Sequence, residues 1–264
     1  MIFHSSFEYQ YLWLPLLGFI VGFIGSLVGG GGGFFFLPVL ILIFQISPQI
    51  AVPTSLAATI PICIAGSIGH YRHGNVDVRP GLIFAAAGIF GAITGAKLVN
   101  LMTTEQLKTA FGIYSILIAT QLIIDTWKKN KAESAGILLP DRKRWKKFTL
   151  STFFGYLSGI VSGTFGTTGN APVMAGLFAM QMPLKIVLGT SLMIITFNMI
   201  SAVGAHFLVG EVDLTLVSFL TAGTIVGALA GPKVLANIKI DKAEGPVRYW
   251  YAIGMMVFGI LMIL

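Results

Sequence analysis

The sequence predicts an all-α integral membrane protein made of two inverted repeats, each a broken or re-entrant hairpin plus three transmembrane helices. Composition points to the membrane, an internal repeat defines the halves, and the placement of basic residues orients them. Of the 264 residues 55% are hydrophobic and only 10% charged, with a mean hydropathy of +0.86. A soluble domain has about 25% charged residues. The 32 glycines suit a bundle in lipid, where small residues let helices approach closely.

Apolar segments lie at 12–28, 34–44, 50–70, 79–99, 107–127, 149–163, 171–181, 185–208, 214–236 and 247–264. Several approach the roughly 20 residues needed to span hydrocarbon. Two pairs fall short: 12–28 with 34–44, and 149–163 with 171–181. Each is broken in its middle by Gly, or by Gly and Thr. Residues 1–11 contain no Lys or Arg, so the first segment is expected to stay on the protein, not to be a cleaved signal.

The one strongly polar connection is 128–147. It carries Lys128, Lys129, Lys131, Arg142, Lys143, Arg144, Lys146 and Lys147 against Glu133 and Asp141. It divides an N-terminal repeat at 1–127 from a C-terminal repeat at 148–264, and the positive-inside rule makes it cytoplasmic. The net charge of +7 gathers here instead of along a face with aromatic partners, so it is not a nucleic-acid footprint. The single cysteine, Cys63, sits in an apolar stretch and reads as core filler.

Setting 54–98 against 190–234 exposes the repeat. Thr54-Ser55-Leu56 falls on Thr190-Ser191-Leu192, His70 on His206, and Gly74-Asn75-Val76-Asp77 on Gly210-Glu211-Val212-Asp213. Gly91, Gly95 and Lys97 fall on Gly227, Gly231 and Lys233. With a slightly smaller shift, Gly29 and Pro38 fall on Gly163 and Pro172. If each broken pair returns to its own side, each half has three full spans, an odd number, and the second half is inverted. The connection 71–79, with Arg72 and Arg79, is then inside. Its mate 209–213, with only Glu211 and Asp213, is outside. The connection 237–248, with Lys239, Lys242 and Arg248, is inside. Only 100–106, flanked by Lys97 and Lys108, fits the rule less well.

Paired broken helices in inverted repeats are an architecture of secondary transporters. Irregular backbone at membrane depth is tolerated where protein or a water-filled cavity satisfies it, so the breaks are the candidate substrate site. The first, Gly29 to Gly33 with Gly30, Gly31 and Gly32 at its centre, offers bare N–H groups suited to an anion. Its mate is Gly163-Thr164-Phe165-Gly166-Thr167-Thr168-Gly169-Asn170. There Thr164, Thr167, Thr168 and Asn170 offer neutral donors. Thr54 with Ser55, Thr190 with Ser191, and Asn198 join the list. Ser55, Thr59, Ile62 and Gly66 share one helical face, as do Ser191, Ile195, Asn198 and Ala202. Interhelical hydrogen bonding is an equal alternative for Ser55 and Ser191, and Asn198, an amide in mid-span that is costly without a partner, is the stronger candidate.

His70 and His206 are candidates for proton coupling or gating, or for holding local turns. Asp77 and Asp213 are expected to cap the helices that follow them. Gly91 with Gly95, Gly227 with Gly231, and Gly155, Gly159 and Gly163 form four-residue packing faces. No Asp or Glu lies mid-span, which argues against carboxylate cation sites and for an anionic solute. No metal site, cofactor or catalytic residue is expected. An intramembrane enzyme using His70 or His206, and a non-transporting scaffold, remain the alternatives.

The two halves together resemble the TauE/SafE family of membrane permeases, associated with export of sulfite and organosulfonates. The resemblance runs from about Leu16 to the C-terminus. It is carried by Gly29 to Gly33 with Pro38, Thr54-Ser55, His70 to Asp77, Gly159 to Pro172, Thr190-Ser191, His206 and Gly210 to Asp213. The chain departs from the family where its second break has Thr and Asn in place of a glycine run. The resemblance implies a multi-pass protein of a prokaryotic inner membrane. Its partners would be the lipid bilayer and a small anionic, often sulfur-containing solute, with homo-oligomer formation left open.

Overall fold

The computed structural model of the chain describes residues 2–28, 33–132, 144–180, 182–209, 211–236 and 240–264. Gly29, Gly30, Gly31, Gly32 and Gly210, and the centre of the basic connection at 133–143, lie outside the described residues. The elements are, in order, β1 (Ile2–Phe3), α1 (Leu14–Val28), α2 (Phe36–Leu42), α3 (Pro48–Arg72), α4 (Val78–Leu101), α5 (Thr104–Ala132), α6 (Arg144–Phe165), α7 (Asn170–Ala179), α8 (Leu184–Val209), β2 (Val212–Asp213), α9 (Leu214–Ala236) and α10 (Ile240–Ile263). Short 3-10 turns at Tyr9–Trp13 and Gly33–Phe35 lead into α1 and α2. Among the described residues, α3, α4, Thr104–Ile124 of α5 and Lys185–Leu208 of α8 are long and apolar enough to cross a membrane. Phe90, Leu117, Phe153 and Leu229 point outward and are more than half exposed. So much apolar surface is a liability in water and a lipid face in a bilayer.

Local chemistry sets the helix ends. Asp77 Oδ1 accepts from the N–H of Arg79 at the start of α4, and Asp213 Oδ1 from the N–H of Thr215 at the start of α9. Both caps match the sequence expectation. Asp213 also accepts from the N–H of Ser5, and β1 pairs with β2 in parallel, tying the N-terminus to this turn. Thr103 and Gln106 open α5 with a reciprocal capping box.

Two segments differ from their hydropathic outlines. The 149–163 segment becomes α6, which starts at Arg144 and has 22 residues, a rise of about 33 Å. Its first turn holds Arg144, Lys146 and Lys147, good helix formers that an apolar window rejects. Conversely, α2 has 7 residues and α7 has 10. They rise only about 10 and 15 Å, so neither second limb can cross hydrocarbon.

Glycine controls the tightest packing. A methyl group added at Gly155, Gly159 or Gly163 of α6 would meet the backbone of Phe84, Gly88 or Ala92 of α4. Added at Gly18 or Gly22 of α1 it would meet Leu220 or Thr224 of α9, and added at Gly227 it would meet Phe19. Contacts climb both helices of each pair in the same sense, so α4 runs parallel to α6 and α1 to α9. The expected faces at Gly91–Gly95 and Gly155–Gly159–Gly163, and Gly227 of the third, are therefore helix contacts. In the pairs α3–α8 and α5–α10 the contacts run in opposite senses: Cys63 lies on Met199 and His70 on Gly189, Gly112 on Ile263 and Ile116 on Gly259. Cys63 is fully buried, as its apolar setting predicts.

The main core takes in Phe36, Leu37, Leu40 and Ile41 around α2, with Leu56, Phe111, Met199 and Leu220. A separate cluster of Phe84, Val173, Leu177, Met180, Val187 and Ile194 seats α7.

Candidate solute site

The break between α6 and α7 needs two glycines in left-handed conformation, Gly166 (φ 63°) and Gly169 (φ 59°), where a side chain would be strained. Its carbonyls are held one by one. His206 Nε2 lies 2.8 Å from the Gly163 oxygen. Ser55 Oγ lies 2.8 Å from the oxygens of both Val52 and Gly166. Ser158 Oγ donates to Gly169 at 2.8 Å and accepts from Asn198 Nδ2 at 3.0 Å. Thus α8, α3 and α6 each fix one carbonyl of an irregular stretch that hydrocarbon could not satisfy. Asn198 lies against Gly88, where any larger residue would collide with its Oδ1. Asn198, Ser158, Gly88 and Gly169 therefore share one level near the middle of α4 and α8.

In front of the break is a cavity of about 130 Å³. Thr167, Thr168, Gly169 and Asn170 form its polar wall, at the N-terminal end of α7. Opposite stand Phe34, Tyr114, Ile118, Leu122 and Tyr251, with Met174 and Met255. Tyr114 stacks on Phe165, Phe34 lies tilted against Phe111, and Phe35 meets Tyr251 edge-on, so an aromatic cluster backs the apolar wall. Among the described residues, no charged side chain lines the cavity. It can enclose a small solute, giving it donors on one side and apolar surface on the other.

Of the residues singled out in the sequence, Thr167, Thr168 and Asn170 line this cavity, and Ser55, Asn198 and His206 brace the break behind it. Thr164 is buried, 3.4 Å from the Gly95 oxygen. Gly33 is described and packs on Thr59, next to the lining residue Phe34. Thr54 is buried near the start of α3. Thr190, Ser191 and His70 gather elsewhere, at the α3–α4 turn: Thr190 Oγ1 accepts from the N–H of Asp77, Ser191 Oγ donates to Leu188, and the His70 carbonyl accepts from Asn75. Sequence reasoning missed Tyr114, Tyr251, Ser158 and Ser162. At the repeat shift Tyr114 falls on Trp250 and not on Tyr251, so the comparison of the halves does not mark the tyrosines. The serines lie one turn apart beside the Gly155–Gly159–Gly163 face.

Known proteins place this bundle of apolar helices, with its polar-walled cavity, among the multi-pass membrane transporters. The family model described as "Sulfite exporter TauE/SafE" matches residues 14–262, and this chain belongs to that family. It is similar to "Probable membrane transporter protein YdhB" of Bacillus subtilis (strain 168), 32% identical over 224 residues, covering 83% of this chain and 86% of the relative. It is 28% identical over 239 residues to "Probable membrane transporter protein YunE" of the same organism, covering 84% and 87%. A "Probable membrane transporter protein" of Xylella fastidiosa (strain 9a5c) is 28% identical over 230 residues, covering 85% of each. No solved structure matches the chain. The chain is thus a membrane transporter of a prokaryotic inner membrane and not an intramembrane enzyme.

Proposed function

We propose that the chain carries a small anion, a sulfur oxyanion or short organosulfonate, across the inner membrane, outward as the family's description implies, and that the anion binds in the cavity before α7. The observation that carries this reading is the polar wall itself. Thr167, Thr168 and Asn170 stand at the N-terminal end of a helix in a cavity that no charged side chain lines among the described residues. The first N–H groups of a helix have no internal partner, and its positive end favours an anion. Neutral hydroxyl and amide donors add hydrogen bonds without fixing the anion so tightly that it cannot leave. The apolar wall suits an alkyl group on a sulfonate.

The halves, 1–127 and 148–264 about a cytoplasmic connection, are read as inverted repeats. Support comes from the pairing of α1 with α9 and α6 with α4, which exchange when the halves are swapped, and from the opposed directions of α3–α8 and α5–α10. The test is flux of labelled sulfite in proteoliposomes. Wild type should exceed protein-free liposomes, and a Thr167→Ala/Thr168→Ala/Asn170→Ala variant should fall to the protein-free rate while staying monodisperse. Equal flux in the variant and wild type would remove the site from the mechanism.

A further inference from the structure

Between the first turns of α4, α6 and α8 and the end of α7 lies a second cavity, of about 710 Å³. Its walls are apolar, formed by Ile83, Phe148, Met180, Met182 and Ile186. Met180 is buried at the floor, its Sδ 3.5 Å from Ser151 Oγ. Phe148 is more than half exposed, so the cavity opens at the surface of the bundle. Two charges of opposite sign, Asp77 and Arg79, complete the lining, and both are exposed. The 24 residues of α4 rise about 36 Å, against a hydrocarbon core of about 30 Å. Its first turn therefore stands at headgroup level, and Ile83 stands about 6 Å deeper, among acyl chains.

The polar rim is held in place. The Asp77 N–H donates to Thr190 Oγ1, and Asp77 Oδ1 accepts from the N–H of Arg79. The second Asp77 oxygen and the Arg79 guanidinium have no partner among the described residues. The corresponding turn of the other half is closed. There Thr215 stands in place of Arg79, and Asp213 is only 2% exposed. The chain's own N-terminus covers that turn, through Ser5 on Asp213 and β1 on β2. The turn of the first half has the same capping carboxylate and no such cover among the described residues.

We propose that this cavity binds a phospholipid with a phosphoethanolamine headgroup. The phosphate sits on Arg79, the ammonium on Asp77, and an acyl chain lies along Ile83, Phe148 and the two methionines. The chemistry of the rim selects the headgroup. A guanidinium fork matches two phosphate oxygens. A primary ammonium has three donors to offer a carboxylate, whereas the quaternary ammonium of phosphatidylcholine has none. Phosphatidylglycerol brings no positive charge and sets its phosphate facing Asp77. Methionine side chains, unbranched and flexible, adapt to an acyl chain, and basic pockets between transmembrane helices are a recurrent place for lipid headgroups. The site stands apart from the solute cavity and does not rest on the anion reading. The two share only α7, whose N-terminal end lines one and whose last residues reach the other.

The experiment is thermal denaturation of the delipidated full-length protein in detergent, titrated with phosphatidylethanolamine, phosphatidylcholine or phosphatidylglycerol of the same acyl chains. A further arm uses soluble glycerophosphoethanolamine, the headgroup without its chains. Wild type should show a saturable rise in Tm with phosphatidylethanolamine, a smaller one with the other two lipids, and none with the bare headgroup. The Arg79 guanidinium makes no bond within the described residues, so Arg79→Gln should match wild type without lipid. Its half-saturating phosphatidylethanolamine concentration should rise roughly tenfold or more, as loss of a bond to a charged group implies. Arg79→Lys, which keeps the charge and loses the fork, takes its place if the glutamine variant does not fold. Asp77→Asn retains a capping oxygen and should erase the preference for ethanolamine over choline. Equal wild-type shifts with the ethanolamine and choline lipids would overturn the proposal, as would an undiminished response in Arg79→Gln. A phosphatidylglycerol shift as large as that of phosphatidylethanolamine would reduce the site to a simple anion site and overturn it too. So would a shift with the bare headgroup as large as with the lipid.

Discussion

The two helix breaks stand at corresponding places in the halves and have opposite chemistry. Aligned on Gly29 with Gly163 and Pro38 with Pro172, the polar residues Ser158, Ser162, Thr167, Thr168 and Asn170 fall opposite Ile24, Val28, Gly33, Phe34 and Phe36. Asn198 falls opposite Ile62. The residues that follow the first break enter the main hydrophobic core, with Phe36, Leu37, Leu40 and Ile41 buried around α2. The second break leads into α7, which sits on a small separate cluster, and the carbonyls of Gly163, Gly166 and Gly169 ahead of α7 are held from three helices. On the repeat reading proposed above, the first broken hairpin serves packing, and the second presents a polar surface at the centre of the bundle.

The largest expected effect comes from giving the second break the residue of the first. Thr168→Phe inserts a ring into a cavity of about 130 Å³ and removes a hydroxyl donor. Overpacking costs about 1–3 kcal/mol, and 1.4 kcal/mol is tenfold in binding. Solute flux in proteoliposomes should fall by about tenfold or more. If Thr168→Phe transports like wild type, the two breaks are not functionally distinct.

Next in size is an effect that should be equal in the two halves. Gly159 of α6 lies on Gly88 and Ala92, and Gly223 of α9 lies on Pro15. In each case the obstacle is backbone, which cannot rotate aside. Gly159→Ala and Gly223→Ala should each destabilise by about 1–3 kcal/mol, read as lowered Tm in detergent. A large loss in one and none in the other would mean that the helix pairs α4–α6 and α1–α9 are not equivalent.

A smaller contrast separates Asn198 from its mate Ile62. Asn198→Ala breaks the bond to Ser158 Oγ, worth about 1 kcal/mol, and frees the serine that holds Gly169. Flux should fall several-fold through loss of that positioning. Ile62→Val costs about 1 kcal/mol of stability but touches only the core, so flux should be unchanged. The check is flux per folded protein for both variants, and equal losses would erase the distinction.

Much of the fold is legible in the chain because lipid imposes a simple rule. Apolar length sets α3, α4, α5 and α8, and the repeated Thr-Ser, His and Gly-x-Val-Asp residues set the correspondence between halves. The polar wall of the site was legible for a related reason: Thr167, Thr168 and Asn170 interrupt an apolar run, where unsatisfied backbone needs a purpose. What the chain hides depends on contacts distant in sequence. Thr190 and Ser191 look like lining residues on a helical face, yet Thr190 receives the N–H of Asp77, 113 positions away. Tyr114 and Tyr251 meet the cavity because α5 and α10 cross beside it, and no local pattern marks them. The polar first turn of α6 was lost to a hydropathy window that reads charge as the end of a helix.

The smallest expected effect is a substitution the molecule already contains in its other half. Gly69 lies near the end of α3, and nothing lies within 4 Å of where its Cβ would be. Its mate in α8 is Ala205, a residue that the same helical position accepts. Alanine is favoured over glycine inside a helix by about 1 kcal/mol, chiefly because glycine loses more backbone freedom on folding. Gly69→Ala should therefore leave Tm unchanged or raise it slightly and leave flux intact. Made in parallel with Gly159→Ala, it gives the same chemical change opposite consequences, set only by whether a neighbouring backbone lies where the methyl must go. A fall in Tm for Gly69→Ala comparable to that of Gly159→Ala would show that close helix approach is not what glycine supplies in this bundle.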